Sequence, residues 1–180
     1  MRRHRHKRSD NEHSSPRERY SACKQRQRHD ASIAAQFERT LPFELASFQS
    51  KANQALEQGD NVLVAAPTGA GKTVIADFAV FLAQQHNVKA FYTTPIKALS
   101  NQKYHDLVNA YGEDKVGLLT GDISINSEAD IVVMTTEVLR NMLYEHSTTL
   151  DALRYVILDE VHYLADRFRG PVWEEVIIHL

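Results

Sequence analysis

Beyond residue 30 the chain alternates short apolar runs with longer mixed stretches. The runs "NVLVAA", "VKAFYTT", "DIVVMTT" and "YVILDE" are continuous rather than alternating, as expected of strands covered on both faces. The stretches between them read as helices. In chain order the pattern predicts helices over 31–41 and 48–59, a strand at 61–65, a helix at 71–86, a strand at 88–93 and a helix at 96–111. A strand near 116–120, a strand at 130–134, a helix at 136–146, a strand at 154–158 and a last helix from Pro171 complete it. Such alternation indicates an α/β fold, a doubly wound parallel sheet with helices on both faces. The carboxyl ends of the runs carry the unusual groups: a small-residue loop, "TTP", "TTE" and "DEVH". Four loops then meet on one edge of the sheet, which is the predicted working surface.

Composition changes this picture at one end only. The net charge of −2 averages a tail of +6 over residues 1–30 and a remainder of −8 over 31–180. The tail has almost no apolar content and is expected to be disordered, which leaves 31–180 as the predicted domain. Its basic arm either attaches loosely to nucleic-acid phosphates or is a solvated leader. His4, His6, His13, His29 and Cys23 lack zinc-ligand spacing and are assigned no metal. With Cys23 the only cysteine, no internal disulfide can form, as suits a reducing compartment. No apolar run approaches the roughly 18 residues of a membrane span, and no secretion signal follows the basic start. The cytoplasm is the expected location.

The chemistry concentrates at two places. Residues 61–73 read "NVLVAAPTGAGKT", a P-loop in which Ala66 stands where the first glycine is usual. Pro67, Thr68, Gly69, Ala70 and Gly71 form its body, and the two glycines let backbone N–H groups approach phosphate oxygens. Lys72 is expected to reach the β- and γ-phosphates of ATP, and the Thr73 hydroxyl to hold Mg²⁺. The helix that follows presents its positive end to the same anion. The second place is "YVILDEVHYLADRFRG", where Asp159 and Glu160 close an apolar strand. Alone, such a pair is most simply an acidic turn. With a P-loop upstream, Asp159 becomes the second Mg²⁺ holder and Glu160 the base that orients and deprotonates the attacking water.

A P-loop and an acidic pair suit many ATPases and GTPases. "LDEVH" resembles the DExH box of superfamily 2 helicases, and "FYTTPIKALSNQKYHDL", "GLLTGD", "VMTTEVLRNMLY" and "DRFRGPVWEE" follow in the order found in superkiller-type (antiviral) RNA helicases. The resemblance runs from Phe43 to Leu180, and "FERTLPFEL" with "VMTTEVLRNMLYEHS" is most similar to the long actinobacterial branch. It implies a RecA-like fold, the first helicase domain of a P-loop NTPase. In "FELASFQ" it implies that Phe43 stacks on adenine and that the Gln49 amide reads the base edge; the family more often has aspartate where Ala46 stands. Pro95, Lys97 and Gln102 would lie along a bound RNA strand, as would Thr120, Gly121 and Asp122 of "TGD". Thr136 and Glu137 of "TTE" would do the same. Read without the family, Lys97 is a solvated helix lysine, Ala98 and Leu99 are core, and Thr136 caps a helix. His162 stands in place of the last Asp of a DEAD box; the resemblance implies that it joins the catalytic group of Lys72, Asp159 and Glu160 and helps couple the nucleotide site to a second domain, whereas a lone histidine reads equally as a packed polar residue. "RGPVWEE" reads as structural, with Trp173 an anchor of the core.

The resembling helicases continue with a Ser-Ala-Thr motif and a second RecA-like domain with arginine fingers, absent after Leu180. An arginine finger contributes about 10³ to 10⁵ in rate, so the chain is expected to bind nucleotide weakly and hydrolyse it poorly. The leading expectation is the amino-terminal part of an ATP-dependent RNA helicase acting on single-stranded RNA, with single-stranded DNA as the alternative partner. The alternative is a non-catalytic nucleic-acid-binding module. A P-loop kinase or GTPase leaves "TTPIKALSNQ" unexplained and lacks a guanine-reading Asn-Lys-x-Asp.

Overall fold

The computed structural model describes residues 32–180; the expectations for the basic tail lie outside the described residues. Of the described residues, 32–44 belong to one compact unit and 45–180 to another. In the first, helix α1 (Ile33–Glu38) starts at Ser32, whose hydroxyl oxygen accepts the Ala35 N–H at 3.1 Å. The cap answers one of the backbone donors that a helix start leaves open.

The second unit begins with α2 (Ser47–Glu57) and α3 (Thr73–His86), then β1 (Lys89–Thr94), α4 (Lys97–Tyr111), β2 (Val116–Leu119) and β3 (Ser124–Ile125). β4 (Ile131–Thr135), α5 (Thr136–Tyr144), β5 (Leu153–Leu158) and α6 (Gly170–His179) complete it. Asn87 ends α3 by taking a left-handed backbone, φ 53°, which asparagine tolerates better than most residues. Pro171 stands in the first turn of α6, where its missing N–H has no intrahelical partner to lose.

The sheet runs β3-β2-β4-β1-β5. β2, β4, β1 and β5 are parallel, and β3 folds back antiparallel on β2. Successive side chains alternate between faces. Tyr92, Val116, Leu118, Ile131 and Val133 meet Val80 of α3 and Leu107 of α4 in one cluster. Phe91, Val132 and Met134 meet Leu139 of α5 and Val176 of α6 in the other. This is why β1 and β4 read as continuous apolar runs. Each fully buried large side chain contributes about 1.5–3 kcal/mol relative to exposure, so the two central strands dominate the stability of the layer. Trp173 is 1% exposed and anchors α6, in line with its sequence context.

Three features differ from the sequence reading. The strand expected at 61–65 does not form: among the described residues these pair with no strand, and Leu63 is 80% exposed. Their exposure still alternates along the chain, but a strand exists only through a partner, and β5, paired on one side alone with β1, ends the sheet. For the same reason β5 is half-buried rather than covered on both faces. Finally, β3 is a strand that the hydrophobic pattern does not predict, since Ser124 and Ile125 are too few to show a period and both are exposed. Among the described residues no helix is long and apolar enough to cross a membrane.

Candidate nucleotide site and strand-contact edge

Parallel pairing places the carboxyl ends of β2, β4, β1 and β5 on one edge, and α3 packs against β1 and β5. The loop that opens α3 turns at Gly69 and Gly71, whose φ angles are +81° and +80°, a region that strains any residue with a Cβ. Gly71 is also tightly approached: a Cβ there would lie 2.7 Å from Gln49 Nε2. Lys72 folds back, its Nζ donating to the Ala66 carbonyl at 2.8 Å and to the Pro67 carbonyl at 3.0 Å. Thr73, the first residue of α3, is exposed. Ala66 and Ala70 are half-buried, while Pro67 and Thr68 face solvent.

Gln49 sits beneath this loop with 5% exposure. Its Nε2 donates to the Gly71 carbonyl at 2.9 Å, and its Oε1 accepts the Ala46 N–H at 2.7 Å. Both ends of the amide therefore hold the chain's own backbone, tying the start of α2 to the P-loop. Phe43, in the first unit, is 51% exposed.

At the end of β5 the Asp159 N–H continues the ladder to Thr93 O at 3.0 Å. Its carboxylate is held from two directions. Oδ2 accepts the Tyr92 hydroxyl at 2.8 Å and Oδ1 accepts the Glu160 N–H at 2.8 Å. Burial, reinforced by the Asp159 charge, pushes the Tyr92 phenol far above its ordinary range, so it stays a proton donor. Glu160 takes a left-handed backbone, φ 57°, of the kind that costs a non-glycine residue about 1–3 kcal/mol and concentrates at functional sites. Its Oε2 lies 3.0 Å from His162 Nδ1, and that imidazole is 71% exposed. His162 thus faces solvent beside Glu160 instead of packing into the core.

Along the same edge Lys97, Gln102, Gly121 and Asp122 are exposed, Glu137 is half-buried, and Pro95, Thr120 and Thr136 are buried. Ala98 is exposed, so only Leu99 of that pair is partly covered. Lys97 Nζ lies 2.5 Å from Asp122 Oδ2, and the Thr120 hydroxyl donates to Asp122 Oδ1 at 3.1 Å. The Lys97 hydrogen bond first, and Thr120 second, hold the Asp122 carboxyl below its ordinary value. Thr136 makes no cap; its hydroxyl turns inward and donates to Thr94 O at 3.3 Å. Thr94 Oγ1 in turn lies 2.7 Å from Ser100 Oγ and donates to Ile96 O at 3.1 Å.

Sequence reasoning missed Tyr92, Ser100 and the Lys103–Asp77 pair at 2.7 Å. A tyrosine within an apolar run is indistinguishable from core until the partner strand's register is known. The Lys103 and Asp77 positions belong to different helices, α4 and α3, with no local pattern joining them.

The arrangement combines a phosphate-type loop with a strand-end carboxylate pair, and residues 46–180 match the DEAD/DEAH box helicase family model. The chain belongs to the DEAD/DEAH box helicase family. It is 64% identical over 144 residues to the probable helicase HelY of Mycobacterium tuberculosis, covering 80% of this chain and 16% of that protein. To the antiviral helicase SKI2 of Saccharomyces cerevisiae it is 52% identical over 142 residues, covering 79% of this chain and 11% of SKI2. Among solved structures, the Mycobacterium smegmatis helicase Lhr bound to single-stranded DNA and AMP-PNP superposes with a TM-score of 0.62. Identity there is 27%, over 83% of this chain and 23% of Lhr. This helicase-family chain therefore spans less than a fifth of the two curated relatives named here. The RecA-like expectation is borne out by these neighbours.

Proposed function

We propose that this chain is the first RecA-like, ATP-binding domain (31–180, behind the basic arm of 1–30) of an ATP-dependent RNA helicase. The observation that carries the reading is Asp159, fixed at the end of β5 while α3, the P-loop helix, packs against that same strand. Lhr, captured with AMP-PNP and single-stranded DNA, supports ATP as the nucleotide and a single strand as the partner. HelY and SKI2 at 64% and 52% identity favour the superkiller-type branch, hence RNA over DNA. The cytoplasm, in keeping with Cys23 as the only cysteine, is the proposed location.

In this reading Lys72 exchanges the Ala66 and Pro67 carbonyls for phosphate oxygens. Gly69 and Gly71 keep the loop backbone open to them. Thr73 and Asp159 offer one hydroxyl and one carboxylate, and the donors on Asp159 are neutral, so its negative charge remains available. That donor set fits Mg²⁺, which takes one or two protein oxygens and completes its shell with phosphates and water. When bound, Mg²⁺ neutralises charge developing on the phosphates. Glu160 accepts a proton from the attacking water, with His162 beside it as the neighbour that orients the carboxylate. Phe43 is assigned to stacking on the adenine; the Gln49 amide, to read the base edge, gives up the Gly71 carbonyl and the Ala46 N–H. Pro95, Lys97, Gln102, Thr120, Gly121, Asp122, Thr136 and Glu137 are assigned to the strand-contact edge; the buried members act through backbone and turn shape, the exposed ones directly, except Asp122, which acts through the Lys97 ammonium it holds.

The test is phosphate release with and without single-stranded RNA in the intact protein. Lys72→Ala is expected to abolish RNA-stimulated release while RNA binding persists. Stimulation that survives Lys72→Ala sinks the catalytic reading and favours a non-catalytic binding module. Because RecA-like partners supply arginine fingers, the isolated 180-residue chain is expected to turn over about 10³- to 10⁵-fold more slowly than a two-domain form.

A further inference from the structure

We propose that Tyr92 is a positioning residue for Asp159, setting the direction in which that carboxylate meets a divalent cation. The inference rests on the metal-holding reading of Asp159 and adds the group behind it.

An ionised carboxylate has about four lone-pair sites and accepts only. Two of them are taken here, one on each oxygen: Oδ2 by the Tyr92 O–H at 2.8 Å and Oδ1 by the Glu160 N–H at 2.8 Å. Two fixed donors define the plane of the group and leave each oxygen one lone pair facing elsewhere. Both donors are neutral. A lysine or arginine in Tyr92's place would cancel the charge a cation needs, whereas a phenol orients the carboxylate and leaves the charge in place.

Tyr92 is itself held tightly. It is 1% exposed at the centre of the sheet, its ring packed into the cluster of Val80, Ile131 and Val133. Lys103 Nζ lies 4.8 Å from the ring centroid, and Asp77 fixes that ammonium at 2.7 Å. A chain of contacts therefore runs from α3 through α4 and β1 to the tip of β5. The hydroxyl is the only polar atom of the side chain, and it ends on the carboxylate. Packing alone would be served equally by phenylalanine.

The experiment measures binding of a fluorescent ATP analogue to the intact protein, first in EDTA and then across a Mg²⁺ titration. Tyr92→Phe preserves the ring and removes one oxygen. It is expected to raise the Mg²⁺ concentration for half-maximal binding about 10-fold, the lower end of what losing such a supporting contact does to metal affinity. Metal-free binding should not change. Asp159→Asn is expected to remove the Mg²⁺ response, and adding Tyr92→Phe to it should then change nothing further. This double-mutant comparison separates a contact from a general loss of fold.

A normal Mg²⁺ response in Tyr92→Phe, with the response lost in Asp159→Asn, overturns the positioning role and leaves the metal reading standing. No effect of either change overturns both. A metal-free binding defect from Tyr92→Phe that persists in the Asp159→Asn background assigns Tyr92 to the fold and also overturns the role. Should Tyr92→Phe fail to fold, Lys103→Gln releases the ring from outside the core. It must then shift the Mg²⁺ requirement in the same direction, and no shift counts against the inference.

Discussion

Lys97 stands at the start of α4 with its charge already answered by Asp122 at 2.5 Å. An incoming phosphate must compete with that carboxylate, so Asp122 tempers Lys97 instead of adding to the attraction. Asp122→Asn is therefore expected to tighten binding of a single-stranded oligonucleotide. The slope of log affinity against log salt should steepen by about 0.7, one more counterion released from a single strand. Weaker binding at every salt concentration would instead mean that Asp122 touches the strand itself. The pair also has a pH signature. Because the folded carboxyl titrates below its ordinary value of 3.8, its contribution to folding is complete above that value. It is lost as pH falls through the lowered one. Both partners are exposed, so salt screens this contribution.

At the scale of elements, α2 carries a cost of its own making. The Asn53 side chain is fully buried, and among the described residues neither Nδ2 nor Oδ1 has a hydrogen-bond partner. An unsatisfied buried polar group costs about 1–3 kcal/mol, while leucine has a similar shape and no polar atoms. Asn53→Leu is expected to raise the urea midpoint at an unchanged m-value, corresponding to about 1 kcal/mol. A lowered midpoint would show that the amide has a partner in solution. Helix α6 is secured differently: Asp166 Oδ1 accepts the Phe168 and Arg169 N–H groups, each at 2.9 Å, just before it begins. Those bonds hold the Asp166 carboxyl below its usual range, Arg169 first.

Elements whose stability is local are legible in the amino-acid sequence alone. The apolar runs of β1 and β4, Pro171 in the first turn of α6, and the glycine-rich entry to α3 each carry their reason in neighbouring residues. What depends on a distant partner is not legible there. "NVLVA" has the composition of a strand, but pairing decides, and among the described residues no strand lies beside it. The phosphate loop and Asp159 can be found because their chemistry follows spacing. Gln49's grip on Gly71, the Tyr92 hydroxyl on Asp159 and Thr136's inward turn cannot, since each spans 22 to 67 residues.

Across the whole molecule, stability should be uneven in a way that hydrogen exchange can read. Amides of β1 and β4 lie inside the ladder and are covered on both faces. Those of residues 61–66 make no ladder bonds, and β5 has one open side. The expected order of protection is β1 and β4 first, β5 next and 61–66 last. Protection of 61–66 equal to that of β1 would mean that the segment is paired in solution.

β1 has one more implication. Six residues long, it sends Tyr92 to Asp159, Thr93 to the Ile157 carbonyl and Thr94 to Ser100, and receives Thr136 on the Thr94 carbonyl. Nucleotide edge and strand-contact edge are thus bolted to the same short beam, which is itself clamped between two strands. A beam so clamped serves as a chassis, not a transmission. Whatever gearing links the two edges must run through parts that β1 leaves loose: the loop folded over Lys72, the turn at Asp122 and the exposed imidazole of His162.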